Sequence, residues 1–171
     1  MNAHDEPAEL LRCREAQSDL AEPPPRGFRH GDPRAAGANP AEPTEIVGYG
    51  ELKQDFEDRD AVLIGASTDT AHVHFAWRRS DEQLAQADFP WIADNKKELA
   101  DALGIVDRNE GVAFRATFII DPDNVIQHVT VNGLNVGRNP AEALRVLDAL
   151  QTDELCPCNW TPGEEVLKPA A

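Results

Sequence analysis

The spacing of apolar residues after residue 43 predicts an alternation of helices and strands. Apolar residues recur at three- and four-residue intervals at Ile46, Tyr49, Leu52 and Phe56. This spacing is typical of one face of a helix, and Thr44 is a suitable N-cap for it. The continuous apolar run 61–68 instead predicts a strand that is buried on both of its faces.

The alternation continues as far as residue 151. Helices are predicted at 69–79, at 95–103 and from Asn139-Pro140 onward, and strands at 89–93, 115–121 and 124–131. The turn sequence at 121–124 predicts that the last two strands form a hairpin. Gly104 is a suitable residue just beyond the end of the helix at 95–103. This order predicts an α/β fold with a mixed sheet and helices on both faces.

The first 42 residues differ in character from the rest. Residues 1–43 contain seven of the 13 prolines and only five large apolar side chains. Such a segment buries too little apolar surface to offset its ordering entropy, so we predict disorder with one short helix near 7–19. We therefore divide the chain into a disordered segment 1–42, an α/β domain 43–150 and a polar tail 151–171.

The charge of the chain narrows the classes of partner. Lysine and arginine number 16 against 31 acidic residues, a formal net charge of −15. This balance argues against binding to nucleic acid or to an anionic membrane surface. No apolar run approaches the roughly 20 residues of a spanning helix, and the N-terminus has no apolar signal region. We therefore expect a cytoplasmic protein.

The cysteines are Cys13, Cys156 and Cys158. An odd count does not match a secreted disulfide framework. A metal site at Cys156-Pro157-Cys158 would need further ligands, which the neighbouring sequence lacks, and a disulfide between these two residues would be strained. Two alternatives stay open on spacing alone: exposed thiols without a role, or a tail thiolate that attacks an oxidised sulfur.

Seven sequence blocks carry a resemblance to a known family. They are PTEIVGYGEL (43–52), STD (67–69), HFAW (74–77), ADNKKELADALGI (93–105), RATFIIDPDNVI (115–126), VGRNPAEALRVLDALQ (136–151) and ELCPCNW (154–160). In this order they resemble a typical two-cysteine peroxiredoxin of the alkyl hydroperoxide reductase C type, most closely the actinobacterial members. The resemblance covers residues 43 to about 167, roughly three quarters of the chain.

The resemblance implies a thioredoxin-like fold and a thiol peroxidase that reduces hydrogen peroxide and alkyl hydroperoxides. In this family a peroxidatic cysteine becomes a sulfenic acid, which then reacts with a resolving cysteine from the partner protomer. A thioredoxin-like or dedicated reductase cleaves the resulting disulfide. The resemblance also implies a homodimer or higher oligomer, and neither a metal nor another cofactor takes part.

The resemblance assigns roles to four residues. Arg115 matches the arginine that stabilises the thiolate, and Glu45 matches the carboxylate that orients this arginine. Cys156 matches the resolving cysteine and Cys158 an auxiliary one. Without the resemblance, Arg115 would be a strand-end arginine and Glu45 a first-turn glutamate favoured by the helix dipole. Trp77 is expected either near this site or in the core, and the histidines at 72, 74 and 128 are expected to be structural or exposed.

One position departs from the family pattern. Glu42 stands where the peroxidatic cysteine is expected, and Ala35 and Asn39 stand where its motif has proline and threonine. Segment 27–42 also lacks the apolar strand that precedes the motif in the family. We therefore predict that the thioredoxin-like fold is incomplete at its N-terminal side, with the strand before the active-site helix missing.

The glutamate has a chemical consequence, because a carboxylate cannot be oxidised to a sulfenic acid. The sequence thus favours a truncated or degenerate copy of a peroxidase, in which the Glu42 charge beside Arg115 imitates a sulfinate. The alternative is a redox-inactive paralogue that binds an active peroxiredoxin or its reductase. A third hypothesis gives the peroxidatic role to Cys13, which is flanked by Arg12 and Arg14.

Overall fold

The computed structural model describes residues 34–38 and 43–168. The helices are α1 (Pro43–Glu51), α2 (Lys53–Glu57), α3 (Ala71–Ser80), α4 (Glu82–Gln86), α5 (Glu98–Ala102) and α6 (Pro140–Gln151). The strands are β1 (Arg34–Ala38), β2 (Val62–Ser67), β3 (Trp91–Ala93), β4 (Val106–Asp107), β5 (Val112–Ala113), β6 (Arg115–Ile120) and β7 (Ile126–Asn132).

The main sheet is mixed, as the sequence predicted. Its strand order is β3-β2-β1-β6-β7, and β4 and β5 form a separate two-stranded sheet. Strand β2 is parallel to both β1 and β3, whereas β6 is antiparallel to both β1 and β7. The α/β class and the hairpin of the last two strands are therefore confirmed.

Apolar residues cover both faces of this sheet. Ile119 of β6 packs in a cluster with Ile46, Phe56 and Leu147, which belong to α1, α2 and α6. On the opposite face, Phe118 packs in a second cluster with residues of α5 and β5. Successive residues of a strand point to opposite faces, so β6 separates the two clusters. The core thus holds the start of α1 against β6, which positions the site described below.

The prediction that the strand before α1 is missing is wrong. Strand β1 lies in the centre of the sheet, with Arg34 opposite both Val62 and Ile120 and Ala38 opposite both Ala66 and Ala116. Strand pairing uses main-chain N–H and C=O groups, so a segment whose apolar residues are only alanines can supply it. Pro33 and Pro40, which could not donate to the ladder, fall outside these five residues.

Three local expectations also need correction. The helix predicted to follow the N-cap Thr44 instead begins at Pro43, with Thr44 inside it, and is interrupted at Leu52. Helix α5 begins later than predicted, because Lys97 is left-handed (φ 61°) and the Asp94 carboxylate accepts from the amides of the first helical turn. The α4 helix and the β4–β5 hairpin were not predicted, since both are too short to show a period.

The predictions that rest on residues close together in the sequence are confirmed. The Asn139 side chain caps α6 by accepting from the Glu142 amide, and Pro140 follows it. The Asp121 carboxylate accepts from the amides of residues 123 and 125 and so closes the β6–β7 turn. Gly104 has a positive φ of 68° after α5. Each of these features is local in sequence, so no tertiary contact is needed to form it.

Within residues 34–38 and 43–168, no helix has the length and apolar character to span a membrane. Apart from β1, segment 1–42 lies outside the described residues. The disorder predicted for this segment and the helix predicted near 7–19 therefore stay predictions there. The same holds for Glu42 and Cys13. The division at residue 43 stays a prediction, although β1 joins the same sheet as the elements that follow it.

Candidate functional site

A buried ion pair joins the start of α1 to the start of β6. Glu45 lies in the first turn of α1 and Arg115 is the first residue of β6, and each is only 5% exposed. The Arg115 Nη1 atom lies 3.1 Å from Glu45 Oε2. The structure therefore brings together two of the residues that the sequence singled out.

Arg138 is the third member of this cluster, and its role was not predicted from the sequence. Its backbone amide donates to Glu45 Oε1 at 2.7 Å, and its Nη2 donates to Oε2 at 3.0 Å. Its Nε also donates to Oε1 at 3.3 Å, and its Nη1 donates to the Ala116 carbonyl at 3.1 Å. Two buried guanidinium groups thus share one buried carboxylate.

The position of Arg138 contained a signal that could have revealed this role. It directly precedes Asn139, the N-cap of α6, where the helix dipole disfavours a cation. A carboxylate from elsewhere in the fold would offset this unfavourable interaction. That carboxylate is Glu45, 93 residues earlier in the chain.

Other contacts hold the cluster in a fixed geometry. The Arg115 Nε donates to the Leu134 carbonyl at 2.7 Å, which ties β6 to the loop before α6. Tyr49, one turn after Glu45, shares a 2.8 Å hydrogen bond with the Thr117 hydroxyl of β6. Burial raises the pKa of Tyr49, so its hydroxyl stays neutral beside Arg138.

The cluster is suited to stabilising a further negative charge. Among the described residues, it holds the two guanidinium groups of Arg115 and Arg138 around the carboxylate of Glu45. It also lies at the N-terminus of α1, where the helix dipole favours an anion. Such a site can stabilise a thiolate or the oxyanion that forms when an O–O bond breaks. Glu42 precedes Pro43 in the sequence but lies outside the described residues, so its role stays a prediction.

The tail cysteines lie at the other end of α6. The half-buried Cys156 has its Sγ 3.4 Å from Thr152 Oγ1 and 3.9 Å from the Ala149 carbonyl, whereas Cys158 is exposed. Both are free thiols. Arg138 precedes α6 and Cys156 contacts its last turn, so the twelve residues of α6 separate them by about 18 Å. Thus α6 does not bring the tail thiols to the buried cluster of their own chain.

The aromatic and histidine candidates prove to be structural or exposed. Trp77 packs against the core cluster of α1, α2 and α6, and a core position was one of the two expected for it. The buried His74 shares a 2.6 Å hydrogen bond with Ser67 and meets the Trp91 ring edge-on, and its pKa is lowered by burial. His72 is exposed, and the half-buried His128 shares a 2.7 Å hydrogen bond with Thr130.

Residues 34–38 and 43–168 hold no group of three histidine, cysteine or acidic side chains placed to bind a metal ion.

Comparison with family models gives two matches. The model described as "AhpC/TSA family" matches residues 36–129, a range that begins within β1. The model described as "C-terminal domain of 1-Cys peroxiredoxin" matches residues 149–171, which include both tail cysteines. The two matches together include Glu45, Arg115 and the tail, whereas Arg138 lies between the two matched ranges.

Curated relatives extend the same similarity. Alkyl hydroperoxide reductase C of Mycolicibacterium smegmatis is 53% identical over 125 residues, which are 73% of this chain and 64% of that protein. The putative peroxiredoxin YkuU of Bacillus subtilis is 46% identical over 128 residues, 73% of this chain and 71% of that protein. The chain thus spans just under two thirds of the length of its mycobacterial relatives.

Solved structures agree with the sequence relatives. Mycobacterium tuberculosis AhpC matches with a TM-score of 0.68 and 46% identity over 76% of this chain and 75% of that chain. The reduced 2-Cys peroxiredoxin of Plasmodium vivax matches with a TM-score of 0.74 and 27% identity over 84% and 80% of the two chains. These matches confirm the predicted thioredoxin-like fold. With a buried Glu45–Arg115–Arg138 cluster on that fold and a family match over more than half of its length, the chain belongs to the AhpC/TSA family of peroxiredoxins.

Proposed function

We propose that the chain is a thiol peroxidase scaffold for hydrogen peroxide and alkyl hydroperoxides in which the peroxidatic position is occupied by Glu42. The observation that carries this proposal is the buried cluster in which Glu45 orients both Arg115 and Arg138. The cluster lies at the helix N-terminus that residue 42 directly precedes in the sequence. On this proposal the cluster is the remainder of the peroxide site, and Glu42 replaces the reacting sulfur.

The chemistry explains why this cluster suits a cysteine at position 42. A thiolate attacks the terminal oxygen of ROOH, so that an S–O bond forms while the O–O bond breaks. The sulfur is oxidised by two electrons to a sulfenic acid, and the departing RO⁻ takes up a proton and leaves as ROH. Negative charge moves from sulfur to oxygen during this step, and Arg115 and Arg138 stabilise it at both positions.

Resolution of the sulfenic acid is assigned to Cys156, with Cys158 as an auxiliary thiol. The thiol condenses with the sulfenic acid, which releases water and forms a disulfide, and a thioredoxin-like or dedicated dithiol reductase returns both sulfurs to thiols. Cys156 packs at the far end of α6, about 18 Å along the helix from Arg138. The separation favours resolution between two protomers, by the tail thiol of one and the peroxidatic position of the other.

A homodimer is supported by the exposed edge of the main sheet. Strand β7 is the last strand in the order and has no neighbour beyond it among the described elements. Its Val129 and Val131 are 47% and 48% exposed, on the face that also carries Phe118. An edge strand with exposed β-branched residues is suited to pairing with a second copy of itself.

The test restores the missing nucleophile. Glu42→Cys is expected to reduce hydrogen peroxide with dithiothreitol as electron donor, whereas the wild type and Glu42→Ser stay close to the uncatalysed rate. Glu42→Ser is the matched control, because it removes the same carboxylate without adding a thiol. Adding Arg115→Gln to Glu42→Cys should lower the rate roughly hundredfold, the usual effect of removing one stabilising donor.

The proposal fails if folded Glu42→Cys consumes peroxide no faster than Glu42→Ser. It also fails if Arg115→Gln leaves the rate of Glu42→Cys unchanged while its circular dichroism spectrum is native. Thiol peroxidase activity in the wild type that disappears in Cys13→Ser would instead assign the peroxidatic role to Cys13.

A further inference from the structure

Arg145 lies in α6, between the buried cluster and the cysteine tail, and it has a fixed orientation. Its Nε and Nη2 atoms donate to the two carboxylate oxygens of Glu142, both at 2.7 Å. A guanidinium bound by two parallel hydrogen bonds has its plane set by the carboxylate. The remaining Nη1 is thereby aimed away from Glu142, and it donates to the Trp160 carbonyl at 2.7 Å.

Trp160 is the anchor of the tail. It is only 5% exposed, and its indole Nε1 donates to the Glu164 carbonyl at 3.1 Å. Its amide donates to the Pro157 carbonyl at 3.1 Å, so the turn that contains Cys158 ends at this residue. The bond from Arg145 therefore joins α6 to the end of the cysteine segment, and it does so through a main-chain oxygen.

The same guanidinium places a cation beside both thiols. The pKa of Arg145 is raised first by its hydrogen bonds to Glu142, and then by the charge of Glu142 and of the Cys158 and Cys156 sulfurs. The contacts give the same position, because Arg145 binds the last residue of the Cys158 turn at 2.7 Å, and Cys156 Sγ lies 3.9 Å from the carbonyl of Ala149, one helical turn after Arg145. The Glu142 carboxylate pairs with the guanidinium through two of its nitrogens, and the third nitrogen faces the tail.

We propose that Arg145 is the positioning residue of the cysteine tail. Its hydrogen bond to the Trp160 carbonyl holds residues 156–160 against α6, and its guanidinium keeps a cation beside Cys156 and Cys158. This inference rests on the proposed function, in which Cys156 and Cys158 are the resolving thiols. The hydrogen bond from Arg145 to the Trp160 carbonyl holds the thiols at the end of α6 until this bond opens. The cation attracts an anionic group, such as an oxidised sulfur with negative charge, toward Cys158.

The test uses two alkylating reagents that differ in charge. Iodoacetate is an anion and iodoacetamide is neutral, and peptide mass mapping reads the rate at Cys158 separately from the other cysteines. Opening of the tail accelerates both reagents alike, so the ratio of the two rates reports only on the nearby cation. Arg145→Gln is expected to lower this ratio about two- to fivefold at low ionic strength.

The Arg145→Lys variant tests the effect of the positive charge separately from the effect of the hydrogen bond to the tail. Lysine keeps the charge but cannot form the three directed bonds of the guanidinium. The iodoacetate-to-iodoacetamide ratio should therefore stay at the wild-type value in Arg145→Lys. Amide hydrogen exchange of residues 156–168 should be about tenfold faster in both variants, because a hydrogen bond to a charged donor has been lost.

Arg108→Gln is the matched control, since Arg108 is an exposed arginine paired with Asp101 far from the tail in sequence. It is expected to change neither the alkylation ratio nor tail exchange. A ratio in Arg145→Gln equal to that in Arg108→Gln would overturn the proposal, as would wild-type exchange of residues 156–168. Because these readouts do not involve peroxide turnover, such a failure would leave the proposed peroxidase function standing.

Discussion

Replacing Glu45 with glutamine is expected to destabilise the fold strongly. The Glu45 carboxylate accepts hydrogen bonds from the Arg138 amide, Nε and Nη2, and it also pairs with Arg115 Nη1. In glutamine one of the two oxygens becomes an NH₂ group, which donates and therefore faces the guanidinium donors unfavourably. The substitution also removes the negative charge that both arginines share.

The magnitude follows from the burial of the pair. The side chains of Arg115 and Arg138 are 6% and 5% exposed, so neither cation can recover its hydration when the carboxylate is lost. Removing one partner of a buried ion pair costs about 3–5 kcal/mol. A domain of this size has a total unfolding free energy of about 5–15 kcal/mol. The expected decrease in Tm is about 6–20 °C.

The assay is urea unfolding followed by far-ultraviolet circular dichroism, with Glu57→Gln as the control. Glu57 pairs with Lys53 at 3.3 Å on the surface, where its side chain is 45% exposed, so its loss should cost about 0–1 kcal/mol. The reasoning is refuted if the unfolding free energies of Glu45→Gln and Glu57→Gln differ by less than about 1 kcal/mol. If uncompensated charge is the cause, Arg138→Gln should cost less in the Glu45→Gln background than in the wild type.

Three further predictions concern other parts of the molecule. Tyr49→Phe removes the buried 2.8 Å hydrogen bond to Thr117 and should lower the unfolding free energy by about 1–3 kcal/mol, because the threonine hydroxyl is left unpaired; an unchanged urea midpoint would contradict it. Burial lowers the pKa of His74 below its ordinary value of 6.5, against the opposing charge of Asp69. The unfolded state therefore binds the proton first, so stability is present above pH 6.5 and falls as the pH drops below it. Urea unfolding at pH 7.5 and 5.5 measures this loss, which should be smaller in a folded His74→Gln variant; an equal loss in both proteins would show that another group is responsible. Val131→Lys places a charge on the exposed edge strand β7 and should convert a dimer to a monomer in sedimentation equilibrium; a dimer that persists with unchanged affinity would rule out pairing through this strand.

Elements whose causes are local could be predicted from the order of the residues alone. The capping of α6 by Asn139 and the turn closed by Asp121 depend on residues within a few positions of each other, so the pattern and the structure agree. The same holds for the apolar run that forms β2, since its burial follows from its composition. Similarity of sequence blocks also led to Glu45 and Arg115, which the structure brings to 3.1 Å.

Features that depend on partners distant in the chain became visible in the three-dimensional fold. Strand β1 has no apolar signature, and it forms because β2 and β6 offer main-chain groups on both of its sides. Arg138 joins the site because the fold places the start of α6 beside the start of α1, where Glu45 accepts from it. The separation of Cys156 from this cluster is set by the length of α6 and by the packing of the tail on its last turn. Hydrogen bonds of the main chain and ion pairs between distant segments leave no periodic pattern in the sequence, and for that reason these features could not be predicted from it.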